Sequence, residues 1–388
     1  MKQLLSSIFI LLFFNSLLFS QPAKTILKGR VIDQEKNEGI AFVSIGIEGT
    51  STGAASNPEG YFELQIPEEH KTKSLFFSAI GYKNNSFAIS DLLQSQNISI
   101  ALVPQSYDIE TVDVAAESKV LQRILRTAFE RIPQNYVSGP VNLKLLYDRK
   151  KSINELRYTE KSIVDLYDKN GYSQPSWADA FKNRSYQIIE SQKSVESNSF
   201  REATNDIDEL LELDLVRLSN TIMNPNLFSG FDLRMEAKTK FEGDSVWIIS
   251  YVAKKLDLAH TGSFYPTSFN GKIYISQSSY AVLRSEIHLT DAKANQQGRS
   301  LAVKTNPISK IQMNITTGYK KVQGKYVLSF IDSEKQYTSD DNESVFESGK
   351  LIVLEVETKT TKPISGRNYF AKTEQDDTFW QNFAVPSK

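Results

Sequence analysis

The sequence predicts a mainly β chain, with a small N-terminal β-sandwich followed by a large antiparallel sheet carrying one or two helices. Three observations predict it. Short apolar runs closed by turn residues occupy positions 29–83, alternation with period two recurs from Val141 onward, and sustained three- and four-residue apolar spacing is confined to two stretches.

Within the first region, Ile40 to Ile47 and Leu75 to Ile80 are nearly continuous apolar or small residues, as expected for strands covered on both faces. Tyr61 to Ile66 instead alternates Phe62, Leu64 and Ile66 against Tyr61, Glu63 and Gln65. Between strands, Asn57-Pro58-Glu59-Gly60 places proline where a type I turn needs its φ and glycine at the last position, which predicts a hairpin.

The run Gly29-Arg30-Val31-Ile32-Asp33, Gly39 to Ile45, Gly49-Thr50, Gly53, Asn57-Pro58-Glu59-Gly60-Tyr61-Phe62 and Ile80-Gly81-Tyr82-Lys83 resembles the carboxypeptidase regulatory-like domain. That resemblance implies a transthyretin-like β-sandwich over residues 26–103, of the kind that precedes outer-membrane receptors and other envelope proteins of the Bacteroidetes type. In that family the domain is an accessory fold, so it implies no catalytic residues.

The first twenty residues read as a secretory signal peptide: Lys2 supplies a positive start, Leu4 to Phe19 is apolar, and Leu18-Phe19-Ser20 before Gln21 offers a cleavage site. An uncleaved anchor is the alternative, against which the apolar stretch falls short of the ~20 residues a spanning helix needs. Cysteine is absent, which removes disulfides, thiol catalysis, thiolate metal sites and the lipid-attachment residue of a bacterial lipoprotein. With 45 basic and 46 acidic residues, no global field favours nucleic acid or an anionic surface.

After a linker at 104–118, Val120, Leu121, Ile124, Leu125, Ala128, Phe129 and Ile132 predict an amphipathic helix ended by Pro133. A second helical stretch is expected from Asp206 to Ser219. The rest of the C-terminal domain, 119–388, alternates: Ile273 and Ile275; Leu283, Ile287 and Leu289 against Arg284, Glu286 and His288; Leu328 and Phe330; Ile352, Leu354 and Val356. Phe269-Asn270-Gly271 and Val322-Gln323-Gly324 read as the turns between. The pair Gly271 to Ile275 and Tyr280 to Ile287 is similar to the paired strands of periplasmic lipoprotein-carrier proteins. This resemblance implies a curved, half-barrel-like sheet around an apolar cavity and transfers no ligand residue. The tail Asp377 to Phe383 resembles the ending of other two-domain envelope proteins.

Chemical motifs fail on context. Gly49-Thr50-Ser51-Thr52-Gly53 spells a nucleophile elbow, but a strand and not a helix follows Ser51. None of His70, His260 and His288 has a glutamate three residues on, as zinc peptidase chemistry would need. Ser339 to Glu343 reads as a solvated hairpin tip and lacks calcium-loop spacing. No catalytic, cofactor-binding or metal residue is therefore predicted, and no enzyme. A TonB-dependent barrel needs far more chain than follows Glu117.

Two functions follow. The first is a non-catalytic exported protein, periplasmic or peripheral to the outer membrane, whose curved sheet binds an apolar ligand such as an acyl chain, or a lipoprotein; this requires an open apolar concavity. The second is a structural adaptor of an outer-membrane system that offers a sandwich edge for strand addition. It predicts a filled core and an exposed edge.

Overall fold

The computed structural model describes residues 25–50, 53–57, 59–95, 97–105, 114–173, 183–195, 207–241, 244–292, 311–338, 343–365, 367–368 and 379–380. The signal peptide, Ser51 and residues 339–342 lie outside these, as does the tail apart from Phe379 and Trp380. Contacts divide the chain into two compact units, principally 1–103 and 104–383, with 80–83 grouped with the second.

The first unit is built from two small sheets. One has the order β4(Tyr61–Ile66)-β1(Thr25–Asp33)-β7(Ile98–Leu102), the other β3(Gly53–Ala55)-β2(Ser44–Ile47)-β5(Ser74–Ser78)-β6(Asn85–Ala88). Leu27, Val31, Ile45, Ile47, Phe62, Leu64, Leu75 and Phe77 are buried between them, with the Phe62 and Phe77 rings edge-on at 5.5 Å. β4 has the predicted alternation, and the Gly60 amide donates to the Asn57 carbonyl at 2.9 Å with Gly60 at φ +86°. This turn does not close the predicted hairpin, because it carries the chain from β3 in one sheet to β4 in the other. The long run from Ile40 is not one strand. Phe42 turns to φ +57°, and only Ser44–Ile47 pairs, while Ser56 Oγ donates to the Ile40 carbonyl and accepts from the Val43 amide.

Among the described residues, the second unit is an open, curved sheet of eleven strands. Its order is β11(Phe231–Phe241), β12(Asp244–Ala253), β13(Pro266–Ser276), β14(Val282–Asp291), β15(Ile311–Val322), β16(Lys325–Thr338), β17(Ser344–Glu357), β8(Val141–Ile153), β9(Leu156–Asp168), β10(Arg184–Val195) and the two-residue β18(Arg367–Asn368). All neighbours are antiparallel except β10 and β18. Bulges in β10, β11, β13, β14, β16 and β17 shift the register, which bends such a sheet.

Gln323 and Gly324 form the predicted two-residue turn, both at positive φ. Phe269-Asn270-Gly271 is not a turn. It lies within β13, where glycine is required because a Cβ at 271 would collide with the Glu286 carbonyl and the Tyr251 hydroxyl. In β17 the buried pair is Leu351 and Val353, not Ile352 and Leu354; apolar residues on both parities hide the phase, and a bulge after Val353 resets it.

Six α-helices, all but one of them short, lie among the described residues. They are α1(Ile89–Leu93) in the first unit and α2(Val114–Glu130), α3(Ile132–Asn135), α4(Ile207–Leu211), α5(Leu215–Leu218) and α6(Leu258–Thr261) in the second. Pro133 starts α3 and does not merely end α2. The expected helix from Asp206 to Ser219 is two pieces, because Asp214 stops one and caps the next by accepting from the Arg217 amide at 3.1 Å.

Candidate functional site

Alternation places one row of each long strand on a common face. Leu143, Leu145 and Tyr147 of β8, Val164 and Leu166 of β9, Ile188 of β10, Ile249 of β12, Ile273 of β13, Ile287 and Leu289 of β14 and Ile315 of β15 all belong to a single buried apolar cluster. The lining thus runs nearly the full width of the sheet.

Helical segments cover it. Leu121, Leu125 and Ala128 of α2 are buried there, as are Leu210 and Leu211 of α4, Leu215 and Val216 of α5, and Ile222, Met223 and Phe228 of the two 3-10 turns that follow. Leu210 packs over Gly349 of β17, its Cδ1 lying 3.2 Å from where a Cβ would stand. The apolar face is therefore filled, and the open concavity required by the simplest carrier expectation is occupied by the chain itself.

From 207 to 230 this cover is contiguous and made of pieces three to six residues long, each far below the length at which a helix is stable alone. Ser219 and Thr221 both have positive φ, at 50° and 46°, which is costly for a β-branched residue such as threonine.

A buried ionic cluster pins the cover to the strand ends. Asp168, the last residue of β9, accepts from Arg184 Nε at 3.0 Å and Arg217 Nε at 3.1 Å through Oδ2, and from the Asn170 and Gly171 amides through Oδ1. Arg184 also donates to the Leu211 carbonyl at 3.1 Å and to Asp214 Oδ2 at 3.3 Å. Tyr172 and Tyr319 each donate to Asp214 at 2.8 Å, and Arg217 and Asp214 are fully buried. Burial alone would raise the Asp168 carboxyl, but Arg184 and Arg217 outweigh it and hold it below its usual range. Burial, reinforced by Asp214, pushes the Tyr172 and Tyr319 phenols well up, so they serve as donors.

At the other ends of the strands the same face turns polar. Glu347 accepts from Tyr337 at 3.0 Å and pairs with Lys151 at 2.8 Å and Lys335 at 3.2 Å. Burial opposes its ionisation, yet the lysines hold it far below the ordinary carboxylate range. Tyr158 donates to Glu160 at 2.8 Å, with Lys193 3.6 Å away. Two ionic clusters thus bracket the apolar lining.

The opposite face carries two shallow polar grooves. One of about 540 Å³ is lined by Arg234, Ser250, Asn270, Lys272 and His288 among others, and one of about 240 Å³ by His288, Gln312, Asn314, Glu334 and Gln336. His288 lies on the exposed side of β14, as its strand pattern predicts, with Nδ1 2.8 Å from Asn314 Oδ1. His260 is buried in α6 against Asp257, and His70 belongs to the first unit. Among the described residues no group of three or more histidines and carboxylates is placed to hold a metal.

Sequence reasoning did not single out Asp168, Arg184, Asp214 or Arg217. One signal was available: an arginine inside the apolar stretch Leu215-Val216-Arg217-Leu218 has to be either paired or exposed.

No curated protein sequence matches the chain. Among solved structures, a DUF1329 family protein from Desulfovibrio piger aligns at 11% identity over 65% of this chain and 96% of its own, with a TM-score of 0.26. A LolA superfamily protein from Nitrosomonas europaea aligns at 9% identity over 62% of this chain and 94% of its own, with a TM-score of 0.20. Scores at this level establish no shared function. Residues 27–114 match the family model of the CarboxypepD_reg-like domain, the family that the residues from Gly29 to Lys83 resemble.

Proposed function

We propose that this is a non-catalytic protein of the bacterial envelope whose curved sheet binds an apolar ligand, an acyl chain or the lipid part of a lipoprotein, beneath a displaceable helical cover. The N-terminal domain family supports the envelope setting. One observation carries the binding: an apolar lining continuous across the sheet is closed by short, strained helical pieces of residues 207–230. The order of helices this short comes from packing and from the Asp168 cluster and not from helix propensity, so an apolar ligand that takes over that packing can displace them. On this reading, residues 26–103 and 119–388 fold as separate domains joined by 104–118.

The filled face favours a second reading, the adaptor, in which the sheet is a rigid support and a sandwich edge such as β4 adds a partner's strand. Native mass spectrometry of the chain purified gently from its own envelope, followed by lipid extraction, separates the two. A stoichiometric acyl-containing mass that leaves on extraction supports ligand binding. A clean apo mass with a partner recovered by crosslinking supports the adaptor.

A further inference from the structure

Of the ten large apolar side chains exposed among the described residues, five fall within fourteen consecutive positions: Val252 at 53%, Leu256 at 43%, Leu258 at 47%, Phe264 at 55% and Tyr265 at 38%. Exposed apolar residues scattered singly are ordinary, whereas a concentrated group marks an interaction site. The polarity of this connection between β12 and β13 is inverted. Beside the exposed Lys254, Lys255 and Asp257, its His260, Thr261 and Ser263 are buried, and its leucines and aromatics face outward.

The loop is held in that state by its own hydrogen bonds. Asp257 Oδ1 accepts from the His260 amide at 2.9 Å and lies 2.7 Å from His260 Nδ1, and Thr261 Oγ1 donates to the Asp257 carbonyl at 2.8 Å. Ser263 Oγ donates to Asp291 Oδ2 at 2.7 Å, the Lys254 amide donates to the Gly230 carbonyl, and the Ala292 amide donates to the Tyr265 carbonyl. The His260 ring sits against Phe231, centroids 5.6 Å apart, in a space open only because residue 230 is glycine. Outward display of Leu256, Leu258, Phe264 and Tyr265 is thus the ordered conformation of the loop.

We propose that this loop docks the protein on a lipid bilayer with anionic headgroups, inserting Leu256, Leu258, Phe264 and Tyr265 into the interface. Side-chain type selects that occupant. Lys254 and Lys255 flank the apolar group, Lys254 in an exposed pair with Asp232 at 3.4 Å that a headgroup phosphate can replace, while Asp257 keeps its negative charge within the loop's own hydrogen bonds. Lysines beside exposed leucine, phenylalanine and tyrosine suit an anionic interface, where aromatic rings sit at headgroup depth. Area argues against a protein partner, because these five side chains offer roughly 400 Å², about half of what a stable interface buries on each side.

Flotation of the intact chain with vesicles tests this. With phosphatidylethanolamine and phosphatidylglycerol the protein is expected to float, and to do so less with phosphatidylcholine alone or at high salt. Leu258→Ser with Phe264→Ser should lower the partition coefficient about tenfold or more, and Lys254→Gln with Lys255→Gln should remove the salt dependence. Because the chain has no cysteine, Tyr265→Cys carrying an environment-sensitive dye gives a local readout, a blue shift on vesicle addition. The proposal is overturned if the wild type stays with the buffer, if the serine variant floats equally while unfolding like the wild type, or if the apolar group instead drives concentration-dependent self-association that the serine variant abolishes.

Discussion

Arg184 and Arg217 converge on one atom, Oδ2 of Asp168, at 3.0 and 3.1 Å, although they come from a strand and from a helix of the cover. The carboxylate therefore ties the segment 207–230 to the sheet. Two buried guanidinium groups need it, and removing one partner of a buried pair leaves uncompensated charge.

Asp168→Asn should accordingly destabilise the second unit by about 3–5 kcal/mol. The check is the urea midpoint followed by tryptophan fluorescence. A change below about 1 kcal/mol, the value of an exposed pair, would show that the cluster does not anchor the cover.

The same carboxyl sets an acid dependence. Its folded pKa is depressed, so its stabilising contribution is complete above the unfolded value near 4 and is lost as pH falls through the folded value. Glu347, also depressed, adds to the loss in the same direction. The wild type should lose stability steadily below about pH 4, and Glu347→Gln should flatten part of that slope. Denaturant titrations at pH 3, 4 and 6 read it directly.

Lys320 behaves oppositely. Burial lowers its ammonium to about 8, while Nζ donates to the Val353 carbonyl at 2.7 Å. A depressed lysine favours the neutral form in the folded state, so stability should rise as pH climbs from about 8 towards the unfolded value near 10.4, by at most about 3 kcal/mol. In Lys320→Met that rise should disappear, as followed by thermal unfolding across the same range.

The alternation of β14 and the turns at Gln323-Gly324 and Asn57 to Gly60 were legible because each is local: period, φ and hydrogen bond depend on a few neighbours, whereas the partner of each strand beside Asn57 to Gly60 does not. The place of Gly271 was not, since its reason is the Tyr251 ring from the next strand. Nor was the filling of the sheet's apolar face. The pattern of Ile273, Ile287 and Leu289 says only that one side is apolar, and it cannot say whether a ligand or the chain's own Leu210 and Leu215 lie on it. The ionic cluster was hidden for a related reason, because Asp168 and Arg217 meet only through tertiary contact.

Gly271→Ala tests the packing account of β13. The methyl group must displace the Tyr251 hydroxyl, which donates to the Glu286 carbonyl at 3.2 Å, or the Glu286 backbone itself. A loss of about 1–3 kcal/mol is expected from overpacking, and Tyr251→Phe should leave that loss nearly intact because the ring and carbonyl still crowd the site.

The most direct test of the central claim is to lock the cover. Leu210→Cys with Gly349→Cys places the only two thiols of the chain across the cover and β17, where they can be bridged by oxidation or a short bismaleimide. Uptake of a fluorescent fatty acid is then measured before bridging, after bridging and after reduction of the disulfide form. The account predicts uptake in the open form, loss on bridging and recovery on reduction. Equal uptake in the bridged and reduced forms, or none in either, would contradict it.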